Sequence, residues 1–94
     1  MASLFILKTT PTFERGFRSL TKRDSELQEQ FIKLLDVLRV DPYNTSKQYD
    51  IKKLTNVARG EGQWRIRTGN YRLRYDIFDK EVILHSFNHR KEAY

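Results

Sequence analysis

The segment GQWRIRTGNYRLRYDIF, residues 62–78, decides the fold. Trp64 and Ile66 alternate with Arg65 and Arg67; after TGN (68–70), Tyr71, Leu73, Tyr75 and Ile77 alternate with Arg72, Arg74, Asp76 and Phe78. A period of two is the pattern of strands with one face buried. TGN reads as the turn of a hairpin. DK (79–80) is a second tight turn, and EVILHSF (81–87) a third strand of the same meander. NHRKEAY (88–94) reads as a polar tail.

Upstream, the period changes. SLFILK (3–8) is a short apolar strand. Thr10 and Pro11 make an N-cap and first helical position. Phe13, Phe17 and Leu20 then follow at helical spacing, with Gly16 as a weak point. TKRDS (21–25) is a turn, with Asp24 or Ser25 able to cap a second helix. Leu27, Phe31, Leu34, Leu35 and Leu38 form its apolar stripe, and Pro42 ends it. Residues 43–61 are polar and aperiodic, a loop with room for a short strand between Tyr49 and Leu54. The order β-α-α-β-β-β predicts an α+β fold. An N-terminal helical hairpin packs on one face of a curved antiparallel sheet, within a single domain spanning 1–94.

The charge is concentrated. Residues 52–74 carry Lys52, Lys53, Arg59, Arg65, Arg67, Arg72 and Arg74 against the single acid Glu61, which accounts for the whole net charge of +6. If the aromatic and aliphatic partners face the helices, the four strand arginines share the opposite face. Like charges stacked across strands are destabilising unless something compensates. Guanidinium groups bind phosphates bidentately and stack on bases, so this face is a candidate RNA or DNA cradle. Pairing with Asp76, Glu81 or Glu92 is the competing structural explanation, expected for Arg74 and one more arginine.

With no cysteine, disulfides and thiolate metal sites are excluded, which fits a reducing, cytoplasmic setting. No acidic cluster has metal-ligand spacing, so no metal or other cofactor is expected. No apolar run is long enough for a membrane span, and the first residues do not read as a signal peptide. Metal-free RNA cleavage needs a group to deprotonate the 2′-hydroxyl, a donor for the leaving 5′-oxygen and cations for the developing charge. Tyr94, His89, His85 and Lys53 are candidates for the proton transfers. His85 reads as a satisfied sheet histidine, whereas His89 and Tyr94 stand in the polar tail.

WRIRTGNYRLRYDIFDKEVILHSFNHRKEAY (64–94) resembles the C-terminal half of the RelE/ParE toxin superfamily. The shared pattern is an aromatic followed by R/K-I-R/K, a G-x-Y-R-x-x-Y hairpin, a strand and a closing H-R-x-x-x-Y. The N-terminal half agrees in pattern only. The resemblance implies a toxin of a type II toxin–antitoxin system. Its RelE-like branch cleaves mRNA in the ribosomal A site without metal, and a RelB-like antitoxin neutralises it. Operator DNA is contacted only through the antitoxin. Arg65 and Arg67 match the basic pair, often lysines, that acts on the phosphate region. Arg72 matches the hairpin arginine that stabilises the transition state. Arg90 matches the tail arginine that serves as general acid, and Tyr94 the tyrosine that aligns or deprotonates the 2′-hydroxyl. Lys52, Lys53, Arg74 and His89 are the expected RNA-binding complement. The alternatives are a ParE-like gyrase inhibitor of the same fold, and a non-catalytic module that acts with the antitoxin at DNA.

Overall fold

Both helix starts form where the capping residues stand. In the computed structural model, which describes residues 4–91, the Thr10 hydroxyl accepts from the Phe13 amide at 3.1 Å and Pro11 opens α1 (Pro11–Thr21). The Asp24 carboxylate accepts from the Leu27 amide at 3.0 Å and starts α2 (Ser25–Val40). Each side chain satisfies an amide that the first helical turn leaves without a partner. α1 runs through Gly16 without a break.

Five strands form one sheet: β1 (Ile6–Lys8), β2 (Ile51–Lys53), β3 (Trp64–Thr68), β4 (Tyr71–Phe78) and β5 (Glu81–His89), in spatial order β1-β5-β4-β3-β2. The α+β class and the helical pair ahead of the meander are as expected. Two details differ. The sheet is mixed, because β1 lies parallel to β5, with Ile6 opposite Glu81 and Lys8 opposite Ile83. Strand periodicity carries no information about the direction of so distant a pairing. In addition, the short strand within the 43–61 loop is realised as β2, antiparallel to β3.

Both tight turns have two residues, and in each the first is left-handed: Gly69 at φ 55° and Asp79 at φ 52°. Such turns match the twist of the strands they join.

The core lies between the helices and one face of the sheet. Phe13, Phe17, Phe31, Phe87 and Tyr71 form an aromatic cluster, with the Phe17 and Phe31 rings 4.3 Å apart and Phe31 and Phe87 at 5.2 Å. Leu27, Leu34 and Leu38 join the same core as Ile66, Leu73, Tyr75 and Ile77. Tyr75 is fully buried, and its hydroxyl donates to the Pro42 carbonyl at 2.7 Å. That bond fastens the centre of the sheet to the end of α2. Burial, aided by the Asp41 charge, raises the pKa of this phenol, so it stays a donor. The loop after α2 is ordered by its own polar side chains: the Asp41 carboxylate accepts from Thr45 N, Ser46 N and Ser46 Oγ at 2.7, 3.1 and 2.6 Å.

Candidate nucleic-acid interface

The hairpin register brings the arginines together. Across β2, β3, β4 and β5, Lys52, Arg65, Arg74 and Ser86 form one row. Arg67, Arg72 and Asn88 form the next. Directly opposed side chains of this kind have Cβ atoms about 5 Å apart. The face turned away from the helices therefore carries Lys52, Arg65, Arg67, Arg72 and Arg74, as the alternation predicts.

Each guanidinium is held differently. Arg65 is buried, 8 % exposed, and its Nη1 donates to Asp50 Oδ1 at 3.2 Å. Arg67 is open to solvent and its Nε donates to Asp50 Oδ2. One carboxylate thus bridges two arginines on β3. Burial alone would raise its pKa, but the hydrogen bond and charge of Arg67, with those of Arg65, hold it below the usual carboxylate range. Arg74 braces a loop, donating from Nε to the Gly62 carbonyl at 3.0 Å and from Nη2 to the Glu61 carbonyl at 2.8 Å. Arg72 is 9 % exposed and donates from Nη1 to the Tyr71 carbonyl at 3.2 Å. Among the described residues, no carboxylate lies within ion-pair distance of Arg72 or Arg74.

The expected acidic partners are therefore corrected. Asp76 pairs with no arginine. It is 2 % exposed, and its carboxylate accepts from the amides of Gly60, Gly62 and Gln63 at 2.9–3.1 Å. Together, Asp76 takes the amides and Arg74 the carbonyls of the same loop, which closes over one end of the arginine face. Gly62 lies there at φ 75°, and a Cβ on it would stand 3.1 Å from Arg74 Cβ and from His85 Cγ. Glu81 pairs with Lys8 at 2.6 Å, on the parallel edge of the sheet. Glu92 lies outside the described residues.

Other expected positions divide. Lys53 is paired with Trp64, on the helix side, with Nζ 5.8 Å from the indole ring centroid; only Lys52 shares the arginine face. His89 belongs to β5 rather than to a tail. It is paired with Tyr71, their rings 5.4 Å apart and edge-on, and alternation places it on the side of Phe87, away from the arginines. Arg90 is exposed, and its backbone amide donates to the Asn70 carbonyl at 2.6 Å, which ties the chain beyond β5 to the β3–β4 turn. Tyr94 lies outside the described residues. His85 lies in β5, as the sheet-histidine reading expects, but it is exposed, at the register shift where Arg74 opposes Ser86 and Tyr75 opposes Leu84. One extra residue on β5 produces this bulge, a common device for re-aiming a side chain.

Sequence reasoning missed Asp50. Its one signal was position: an acid immediately before a short basic strand whose partner carries the arginines. No group of three potential metal ligands occurs among the described residues.

No curated protein sequence matches this chain. Among solved structures it resembles the toxin–antitoxin complex RelBE2 from Mycobacterium tuberculosis, at 24% identity and a TM-score of 0.66 over 93% of this chain and 99% of that one. It also resembles the archaeal RelE–RelB complex from Pyrococcus horikoshii OT3, at 20% identity and a TM-score of 0.68 over 95% and 98%. The RelB–RelE complex from Methanococcus jannaschii aligns at 21% identity and a TM-score of 0.54, over 93% and 94%. These likenesses establish the RelE-type fold. The family model for the ParE toxin of the parDE type II toxin–antitoxin system matches residues 7–94. The chain is a member of the RelE/ParE family of type II toxins.

Proposed function

We propose that this toxin is a metal-independent, ribosome-dependent endoribonuclease that cuts mRNA in the A site. The observation that supports it best is the Arg67–Arg72 pair in one row with Asn88 on the sheet face turned away from the helices, with Arg65 and Lys52 in the adjoining row. In the proposed reaction the 2′-oxygen attacks its neighbouring phosphorus and the bond from phosphorus to the 5′-oxygen breaks. The products are a 2′,3′-cyclic phosphate and a 5′-hydroxyl. Arg65 and Arg67 bind the phosphate. Arg72, pre-positioned by its burial, meets the charge that develops on the non-bridging oxygens. Tyr94 aligns the 2′-hydroxyl and takes its proton, and Arg90 gives a proton to the leaving 5′-oxygen. Lys52 adds phosphate affinity. Arg74 acts as a brace and His89 lies outside this set. The partner is a RelB-like antitoxin, which the likeness to RelB–RelE complexes supports.

The test is cleavage of a defined mRNA on programmed ribosomes, in EDTA, by the wild type and by Arg72→Ala. Loss of one stabilising donor lowers such rates by about 10²–10³-fold. Uncut message on active ribosomes would sink the proposal. A second reading, inhibition of DNA gyrase, draws on the match to the ParE family model over residues 7–94. A supercoiling assay separates the two, since only that reading expects gyrase to stall.

A further inference from the structure

We infer that the Asp50 carboxylate is the resident occupant of an anion site built by Arg65 and Arg67, and that a phosphate group enters by taking its place. The inference rests on reading the arginine face as phosphate-binding, and it identifies what limits that binding.

The geometry is that of a two-oxygen anion. Asp50 offers one oxygen to each arginine, Oδ1 to Arg65 Nη1 at 3.2 Å and Oδ2 to Arg67 Nε. A phosphodiester has two non-bridging oxygens and the same single negative charge, so it can accept both of the hydrogen bonds that the carboxylate gives up. The three groups differ in freedom. The Arg65 side chain is 10% exposed, against 45% for Asp50 and 47% for Arg67. Arg65 is the fixed wall, and its buried Nε–H has no acceptor among the described residues. Asp50 and Arg67 form the open side. The main chain of Asp50 is pinned, its carbonyl accepting from the Arg67 amide at 3.1 Å. Displacement therefore needs only rotation of the carboxylate into water. The Asp50–Arg67 pair, half-exposed on both sides, is weak enough for a ligand to replace, and the incoming anion supplies the buried Arg65 with a new partner. A phosphate placed there would also feel Lys52 and Arg74, the cross-strand neighbours of Arg65. Asp50 thus makes weak, loosely charged anions poor competitors and reserves the site for a polyanion that engages the rest of the face.

The test uses the full chain with two probes, inorganic pyrophosphate and a labelled single-stranded RNA oligonucleotide. Asp50→Asn removes the occupant, so pyrophosphate should bind about fivefold more tightly. The gain should vanish in the Asp50→Asn/Arg67→Ala double variant. RNA affinity should rise too, with a salt slope steeper by about 0.7. In the wild type, pyrophosphate should shift the Arg67 Nε–H resonance and move the Asp50 carboxyl carbon signal to that of a hydrated carboxylate. This readout needs no variant to fold. Equal or weaker pyrophosphate binding by folded Asp50→Asn, or a shift at Arg67 with none at Asp50, overturns the inference. A pyrophosphate gain without RNA binding by any variant would uphold the anion site and remove the nucleic-acid reading instead.

Discussion

Replacing Asp76 is the most informative single perturbation of this fold. Its carboxylate is 2 % exposed and is the acceptor for three backbone amides. Hydrogen bonds to a charged group contribute about 1.5–3 kcal/mol each. In Asp76→Ala the buried Gly62 amide loses its acceptor outright, while the part-buried amides of Gly60 and Gln63 regain some water. Removing a buried charge also relieves its desolvation, which works in the opposite direction. The net expected cost is about 3–5 kcal/mol, a large share of the roughly 5–14 kcal/mol expected for a domain of this length. Asp76→Asn keeps one acceptor oxygen for the three amides, but it loses the charge and sets an NH2 donor against the Gly62 amide, so it should cost about 1–3 kcal/mol. Urea unfolding followed by circular dichroism gives both values, and each kcal/mol should lower Tm by about 4–8 °C. Arg74 grips the same loop from the carbonyl side, so the cost of Arg74→Met should not add to that of Asp76→Ala. An Asp76→Ala loss below about 1 kcal/mol, or strict additivity with Arg74→Met, would refute the view that these two residues jointly hold residues 60–63.

Tyr75→Phe leaves the Pro42 carbonyl without its buried donor and should cost about 1–2 kcal/mol in the same unfolding assay; an unchanged midpoint would mean the bond contributes nothing net. Gly62→Ala adds a Cβ in a left-handed conformation against Arg74 and His85, and should lower stability by about 1–3 kcal/mol. Measured stability equal to wild type would show that the loop shifts freely. Asp50 and Asp41 both have lowered pKa values, despite burial that raises them, so each binds protons more weakly folded than unfolded. Their stabilisation is complete above about pH 5 and drains away as the pH falls further. Asp50→Asn should flatten the stability curve between about pH 5 and pH 2, and an identical curve would deny Asp50 any part in acid unfolding.

Much of this architecture can be read from local pattern. Thr10 and Asp24 cap helices because capping is decided within three residues. The hairpin of β3 and β4 declares itself through a period of two on either side of Gly69 and Asn70. What escaped reading depends on distance along the chain. Asp50 reaches Arg65 and Arg67 only because β2 pairs with β3 in one particular register. Asp76 looks like an ion-pair partner in sequence, yet the folded loop surrounds it with amides before any guanidinium can reach it. Lys53 was grouped with Lys52 by adjacency, although neighbouring strand residues point to opposite faces. His89 reads as tail because its neighbours in sequence are polar, and its place in β5 follows from pairing with Tyr71.

The parallel seam between β1 and β5 has a consequence for how the protein comes into being. Of the five described strands β1 is synthesised first, yet the strand it pairs with is β5, the last of the five. Phe87, against which Phe17 and Phe31 pack, lies on that same final strand. A nascent chain therefore cannot close its sheet or complete its aromatic cluster until β5 has left the ribosome, and contacts of such long sequence range form slowly. The last ring of the core, Phe87, and the polar members of the two arginine rows, Ser86 and Asn88, therefore arrive together.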